Sequence, residues 1–145
     1  MPHPNQRTAA IVLLVQPPDD SREMYAEFFR HHGMDVVCPD DVEEALTLAP
    51  AANVVVTELQ LPGAMDGYAF IQHLRAAEAT QNKLVIVVTS WAWQTERLRA
   101  KEAGCDVFLT KPCLPAVLLR HVRRGLARPR VRKARGRGSK RGAND

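Results

Sequence analysis

Four polar positions stand out because each one lies within two residues of the end of an apolar stretch of the sequence. They carry the carboxylate of Glu58, the ammonium of Lys111, the hydroxyl of Thr89 and the amide of Gln16. These groups bind charge and bind one another through hydrogen bonds. The sequence holds no nucleophile–base pair, no metal-ligand cluster and no glycine-rich phosphate loop, so we do not expect an independent enzyme.

The stretches that precede these positions alternate with amphipathic segments, five times in all. Apolar, β-branched runs predict strands, and apolar residues at helical spacing predict helices. The predicted strands are 9–15, 34–38, 53–57, 84–89 and 106–110. The predicted helices are 20–32, 41–48, one around Phe70, Ile71 and Leu74, 95–103, and one around Leu114, Val117, Leu118 and Val122. Asp20 with Glu23 fits a capping box at the first helix, and Gly33 fits its C-terminal cap.

Strands that alternate with helices predict a parallel sheet with helices on both faces. At this length the common arrangement is the doubly wound, flavodoxin-like α/β fold, with strand order 2-1-3-4-5. Function in such folds lies at the carboxyl ends of the strands, near the switch point between strands 1 and 3. The stretches to examine are therefore 16–20, 57–61, 89–93 and 110–113.

Those stretches carry a resemblance to a known family. Residues 56–67, Val-Thr-Glu-Leu-Gln-Leu-Pro-Gly-Ala-Met-Asp-Gly, resemble the phosphoacceptor strand and loop of response-regulator receiver domains. Residues 108–112 resemble the family's Lys-Pro motif, with an aromatic three residues before the lysine, and residues 88–90 resemble its switch hydroxyl. Ser21-Arg22-Glu23 with Phe28-Phe29 resembles the family's first helix. The resemblance spans about residues 9–126 and implies a CheY-like fold, two-component or phosphorelay signalling, and a cis bond between Lys111 and Pro112.

The resemblance also shows where this sequence departs from the family. Receivers hold Mg²⁺ with an acidic pair after strand 1 and an acceptor aspartate after strand 3. Here Gln16 and Pro17 replace the pair, and Glu58 replaces the acceptor. Mg²⁺ prefers oxygen ligands in near-octahedral geometry. Because one carboxylate stands in place of the family's three, we expect no resident metal or other cofactor. Thr89, Phe108 and Lys111 remain, and a free Lys111 ammonium could pair with Glu58 directly.

The interpretation that follows is a degenerate, single-domain receiver that acts as a phosphorylation-independent protein-interaction module. The alternative is a working phosphoacceptor with unusual ligands, in which Asp19 makes a weak metal contact; helix capping is the simpler role for Asp19. Expected partners are a histidine kinase, a phosphotransfer protein or an output protein. Family resemblance also allows a homodimer through the face of helix 4, strand 5 and helix 5. Trp91 and Trp93 are candidates for an output surface or for packing.

The net charge of +4 conceals two unlike parts of the 145-residue chain. Residues 1–118 sum to −6, whereas residues 119–145 sum to +10. We divide the chain into a flexible N-terminus at 1–8, a receiver domain at 9–127 and a disordered basic tail at 128–145. The tail has no aromatic residue for base stacking but could contact the phosphates of nucleic acid, so a nucleic-acid-associated regulator that acts through the tail is a second alternative. No signal peptide, membrane span or disulfide framework is indicated, so we expect a cytoplasmic location.

Overall fold

The computed structural model describes residues 9–128, apart from the side chain of Asp20. The predicted N-terminus at 1–8 and the predicted tail beyond residue 128 lie outside the described residues. The strands are β1 (Ile11–Val15), β2 (Asp35–Val37), β3 (Val54–Thr57), β4 (Leu84–Thr89) and β5 (Val107–Thr110). The helices are α1 (Asp20–His31), α2 (Val42–Leu48), α3 (Gly67–Ala76), α4 (Gln94–Ala103) and α5 (Pro115–Ala127), with a short 3₁₀ turn at Ala49–Ala51.

The five strands form one parallel sheet in the order β2-β1-β3-β4-β5, which confirms the predicted topology. The sheet is apolar on both faces because helices cover both. On one face, α2, α3 and α4 pack on Leu13, Val55 and Val85. On the other face, α1 and α5 pack on residues that alternate with these, such as Leu14 and Val56.

The observed elements lie within about two residues of the predicted ones, and one predicted cap was wrong. The N-cap of α1 is Asp19 rather than Asp20: the Asp19 carboxylate accepts a hydrogen bond from the Arg22 backbone N–H at 3.2 Å. Gly33 follows the helix with φ of +85°, the left-handed conformation that favours glycine, as predicted. His32 is the C-cap, and its ring Nδ1 lies 2.9 Å from the Phe28 carbonyl oxygen.

The start of β5 is tied to the end of α3 by a buried arginine. The Arg75 side chain is fully buried, and it donates to the backbone carbonyls of Gln81, Lys83 and Gly104. It also forms a salt bridge with Asp106 at 2.9 Å. Each of the three nitrogens of this guanidinium therefore has an acceptor at the amino edge of the sheet. Within the described part of the chain, no helix is long and apolar enough to cross a membrane.

Candidate functional site

The register of the sheet brings the predicted site residues to one edge. Val15 of β1 pairs with Thr57 of β3, and Thr57 pairs with Val87 of β4. Thr89 then pairs with Thr110 of β5. The residues that follow these strand ends share the carboxyl edge of the sheet, and this places Gln16, Glu58 and Lys111 around it.

Glu58 is the centre of this edge. Its side chain is only 5% exposed, so its charge needs partners. One carboxylate oxygen, Oε1, accepts a hydrogen bond from the Leu59 backbone N–H at 2.7 Å. The other, Oε2, lies 3.2 Å from Lys111 Nζ, whose side chain is 20% exposed. Both carboxylate oxygens are thus engaged by donors from this chain.

The backbone around the two charged residues is held from both sides. The Lys111 backbone N–H donates to the Thr89 carbonyl at 2.8 Å, and the bond from Lys111 to Pro112 is cis, as the resemblance implied. Gly67, at the start of α3, packs against the loop that carries Glu58. A Cβ at position 67 would lie 2.5 Å from the Glu58 carbonyl oxygen and 2.6 Å from the Leu59 Cα. Only a glycine allows α3 to approach the Glu58 loop this closely.

The positions that replace the family's acidic pair offer little to a cation. Gln16 is 4% exposed, and both polar atoms of its side-chain amide lack a hydrogen-bond partner within residues 9–128. Pro17 has no side-chain donor or acceptor, and the Asp19 carboxylate caps α1. Across the described ranges, no group of three or more His, Cys, Asp or Glu side chains is arranged to hold a metal ion.

The remaining predicted site residues occupy the β4 and β5 side of the edge. Thr89 is fully buried, and its hydroxyl oxygen accepts from the Trp91 backbone N–H at 3.1 Å. Phe108 is half-buried with the Arg97 guanidinium 4.8 Å from its ring centroid. Trp91 packs against the core, whereas Trp93 is 67% exposed at the N-terminus of α4. The two tryptophans therefore differ: Trp91 fits the packing interpretation, and Trp93 remains a candidate surface anchor.

Tyr25 is a site neighbour that the sequence analysis did not single out. Its hydroxyl donates to the Cys113 carbonyl at 2.8 Å and so joins α1 to the loop after Lys111. Burial, with smaller contributions from Cys113, Asp19 and Glu58, raises the pKa of Tyr25 to about 12. Burial also raises the pKa of the Cys113 thiol, which disfavours a reactive thiolate. The helical spacing of Tyr25 indicated burial but gave no sign of an acceptor 88 residues away.

Comparison with known proteins identifies the family. The response regulator receiver domain model matches residues 12–123, which is most of the chain. The chain belongs to the receiver domain family. Receivers are signalling modules, so the match confirms the predicted fold and the assignment to two-component signalling.

Individual relatives agree with this assignment. The chain is 27% identical over 114 residues to the phosphate regulon transcriptional regulatory protein PhoB of Escherichia coli K12, covering 77% of this chain and 49% of PhoB. The chain therefore spans about half the length of the curated relatives of this kind. The chemotaxis response regulator CheY4 of Vibrio cholerae is 26% identical with a TM-score of 0.73, covering 81% of this chain and 99% of that one.

A third relative bears on the metal. The receiver domain of the sensor histidine kinase PA1611 of Pseudomonas aeruginosa PAO1 is 25% identical with a TM-score of 0.76. The match covers 83% of this chain and all of that one, and that structure has a magnesium ion coordinated in its active site cleft.

Proposed function

We propose that this receiver is degenerate and works as a phosphorylation-independent protein-interaction module. The observation that carries the proposal is the contact between Lys111 Nζ and Glu58 Oε2 at 3.2 Å, beside an edge where Gln16 and Pro17 supply no charge. The ammonium that would bind a transferred phosphoryl group already has an anionic partner in the same chain.

The donor set is a poor match for Mg²⁺. The ion binds hard, charged oxygens in near-octahedral geometry and gives up its water reluctantly. Apart from the Asp19 carboxylate, which caps α1, the chain offers around this edge one carboxylate, at Glu58, and one neutral amide oxygen, at Gln16. That carboxylate is already bound by an ammonium and a backbone N–H, so a cation would have to displace Lys111. These residues do not fit the magnesium site of the family.

The same contacts oppose phosphorylation of Glu58. An in-line attack requires a nucleophilic oxygen that is free and correctly placed to within a fraction of an ångström. Each Glu58 oxygen accepts from a donor of this chain, and the side chain is one methylene longer than aspartate. We infer that the ion pair stands in for the contact that Lys111 would make with a phosphorylated aspartate, and so holds one conformation permanently.

In this proposal, signalling output depends on which surfaces of the domain a partner binds, and not on cycles of phosphorylation and dephosphorylation. An apolar groove lies beside Lys111, lined by residues of α1 and of the loop before α5, including Met24 and Leu114. Met24 is 43% exposed and Leu114 is 70% exposed, an apolar surface that a protein partner could cover. A histidine kinase, a phosphotransfer protein or an output protein in the cytoplasm would meet this groove. Trp93, directly before α4, and Leu98, within it, are further exposed apolar side chains that an output protein or a second copy could contact.

The proposal is tested by incubating the full chain with acetyl phosphate and Mg²⁺ and measuring its intact mass. We expect no phosphoryl adduct on the wild-type protein. The matched control carries Gln16→Asp, Pro17→Asp and Glu58→Asp together and should gain an adduct of one phosphoryl group. A Mg²⁺-dependent adduct on the wild-type chain would instead support the working phosphoacceptor, with Asp19 as the first residue to substitute.

A further inference from the structure

The exposed face of α5 is uniformly basic. Arg120, Arg123 and Arg124 lie three and four residues apart, so they share one face of the helix, and Arg128 follows directly after its end. All four side chains are exposed, and none of them forms a salt bridge within residues 9–128. The helix carries no acidic residue of its own.

The groove beside these arginines brings no carboxylate that would neutralise them. A groove between α1 and α5 is lined by Phe28, His32, Leu119 and the three arginines of α5, with no carboxylate. Burial and then the charges of Arg124 and Arg120 lower the pKa of His121, as expected next to a positive surface. On the other side of α5, the nearby Asp106 is already paired with Arg75.

We propose that this face of α5 binds the phosphate backbone of duplex DNA without reading its sequence. An α-helix rises about 1.5 Å per residue, so Arg120 and Arg124 are about 6 Å apart along the axis. One DNA strand carries a phosphate about every 3.4 Å of its axis, so the turn from Arg120 to Arg124 spans about two phosphate spacings and can meet up to three phosphates. Arginine suits this role because its planar guanidinium pairs with phosphate oxygens in a fork geometry.

The sequence that follows α5 favours the same ligand. Residues 129–145 contain seven more lysines and arginines against one aspartate. The arginines of α5 thus begin a continuous basic stretch whose charge complements a polyanion. That stretch has no aromatic residue, and single-stranded nucleic acid is held largely by stacking on aromatic rings. A duplex, bound through its phosphates alone, fits this composition best.

The surface is separate from the proposed function at Glu58. The end of α5 lies at the amino edge of the sheet, where a Cβ at Gly125 would meet the Leu84 side chain at the start of β4. Glu58 and Lys111 lie at the carboxyl edge. DNA binding by α5 therefore requires neither Mg²⁺ nor phosphorylation, and its failure would leave the account of Glu58 untouched.

The test uses the full chain and a fluorescein-labelled duplex of mixed sequence, with binding followed by fluorescence anisotropy across a salt series. The decisive variant carries Arg120→Gln, Arg123→Gln and Arg124→Gln together. Three phosphate contacts contribute about 2.7 to the slope of log affinity against log salt. We therefore expect the triple variant to bind on the order of 100-fold more weakly at about 0.1 M salt, with a slope lower by about 2–3.

A matched pair of single variants separates this surface from net charge alone. Arg123→Gln and Lys101→Gln each remove one exposed charge from a helix, in α5 and α4 respectively. Glutamine keeps the helix propensity, and circular dichroism would verify the fold. Arg123→Gln should lower the slope by about 1, and Lys101→Gln should leave it unchanged.

Three outcomes would overturn the proposal. The triple variant could bind the duplex as the wild type does, which would assign any binding to residues beyond α5. Lys101→Gln could weaken binding as much as Arg123→Gln, which would reduce the effect to net charge. Poly-aspartate at equal charge concentration could displace the duplex completely, which would point to an acidic protein instead of DNA.

Discussion

The strength of the contact between Lys111 and Glu58 is the quantity on which the account of the site depends. Two opposite charges 3.2 Å apart attract by about 5 kcal/mol at the effective dielectric constant of about 20 that suits protein sites. Desolvation of a carboxylate that is 5% exposed offsets much of this attraction. Hydrogen bonds to charged groups contribute about 1.5–3 kcal/mol net, so we expect a coupling energy of about 1–2 kcal/mol.

A double-mutant cycle measures this coupling directly. The variants are Glu58→Gln, Lys111→Met and the two together, with the free energy of unfolding obtained from urea denaturation. Lys111→Met should lower the free energy of unfolding, because it leaves the buried Glu58 carboxylate with the Leu59 N–H as its remaining strong donor. Glu58→Gln keeps an oxygen that can accept from Leu59 and loses the charge. The double variant should be more stable than the two single losses, added together, predict.

The usual strength of exposed ion pairs sets the scale of the experiment. Surface ion pairs contribute a median of about 0–1 kcal/mol, so the coupling at Glu58 must exceed that range. A coupling energy below about 1 kcal/mol, within the range of exposed pairs, would refute the view that this pair holds the site in one conformation. Salt screens exposed charges more than buried ones. A coupling of the expected size that vanished in high salt would therefore show that the pair is exposed to solvent, which would contradict its burial.

Three further predictions follow from other contacts. Arg75→Met should lower the free energy of unfolding by about 3–5 kcal/mol, because it removes the buried guanidinium that donates to Asp106 and to three backbone carbonyls; a loss below about 1 kcal/mol in urea denaturation would contradict this. Gly67→Ala should lower the free energy of unfolding by about 1–3 kcal/mol, because its Cβ would collide with the Glu58 backbone. An unchanged denaturation midpoint would show that the loop can move away from the Cβ without loss of stability. The raised pKa of Tyr25 gives stability that is complete below pH ~10 and is lost as the pH rises through about 12, so Tyr25→Phe should flatten the fall in stability over that range. Equal alkaline slopes for Tyr25→Phe and the wild type would exclude this role.

The fold was predictable because its signals are local. Each strand is a short apolar run, each helix except α4 has an apolar stripe, and alternation of the two leaves few topologies. The error at the first helix is instructive: Asp19 and Asp20 are equally good caps by residue type. The path of the backbone after Pro17 and Pro18 decides between them, and that path is not a local property of either residue.

The site was predictable only in part. Spacing and family resemblance predicted that Glu58 and Lys111 lie at the same edge of the sheet. The hydrogen bond from Tyr25 to Cys113 joins residues that are 88 positions apart, and no local sequence pattern predicts such a contact. The burial of Arg75 was equally unpredictable from the sequence, because its acceptors are mostly backbone carbonyls, which every residue has.

The most direct test of the central claim is a Mg²⁺ titration, alone and with beryllofluoride as a phosphoryl mimic, followed by tryptophan fluorescence. Trp91 lies on the loop whose backbone bonds to Thr89, so a change at the site should alter its emission. The control carries Gln16→Asp, Pro17→Asp and Glu58→Asp together. The account predicts a silent wild-type protein and a saturable response in the control. A saturable, Mg²⁺-dependent response of the wild-type protein would contradict it.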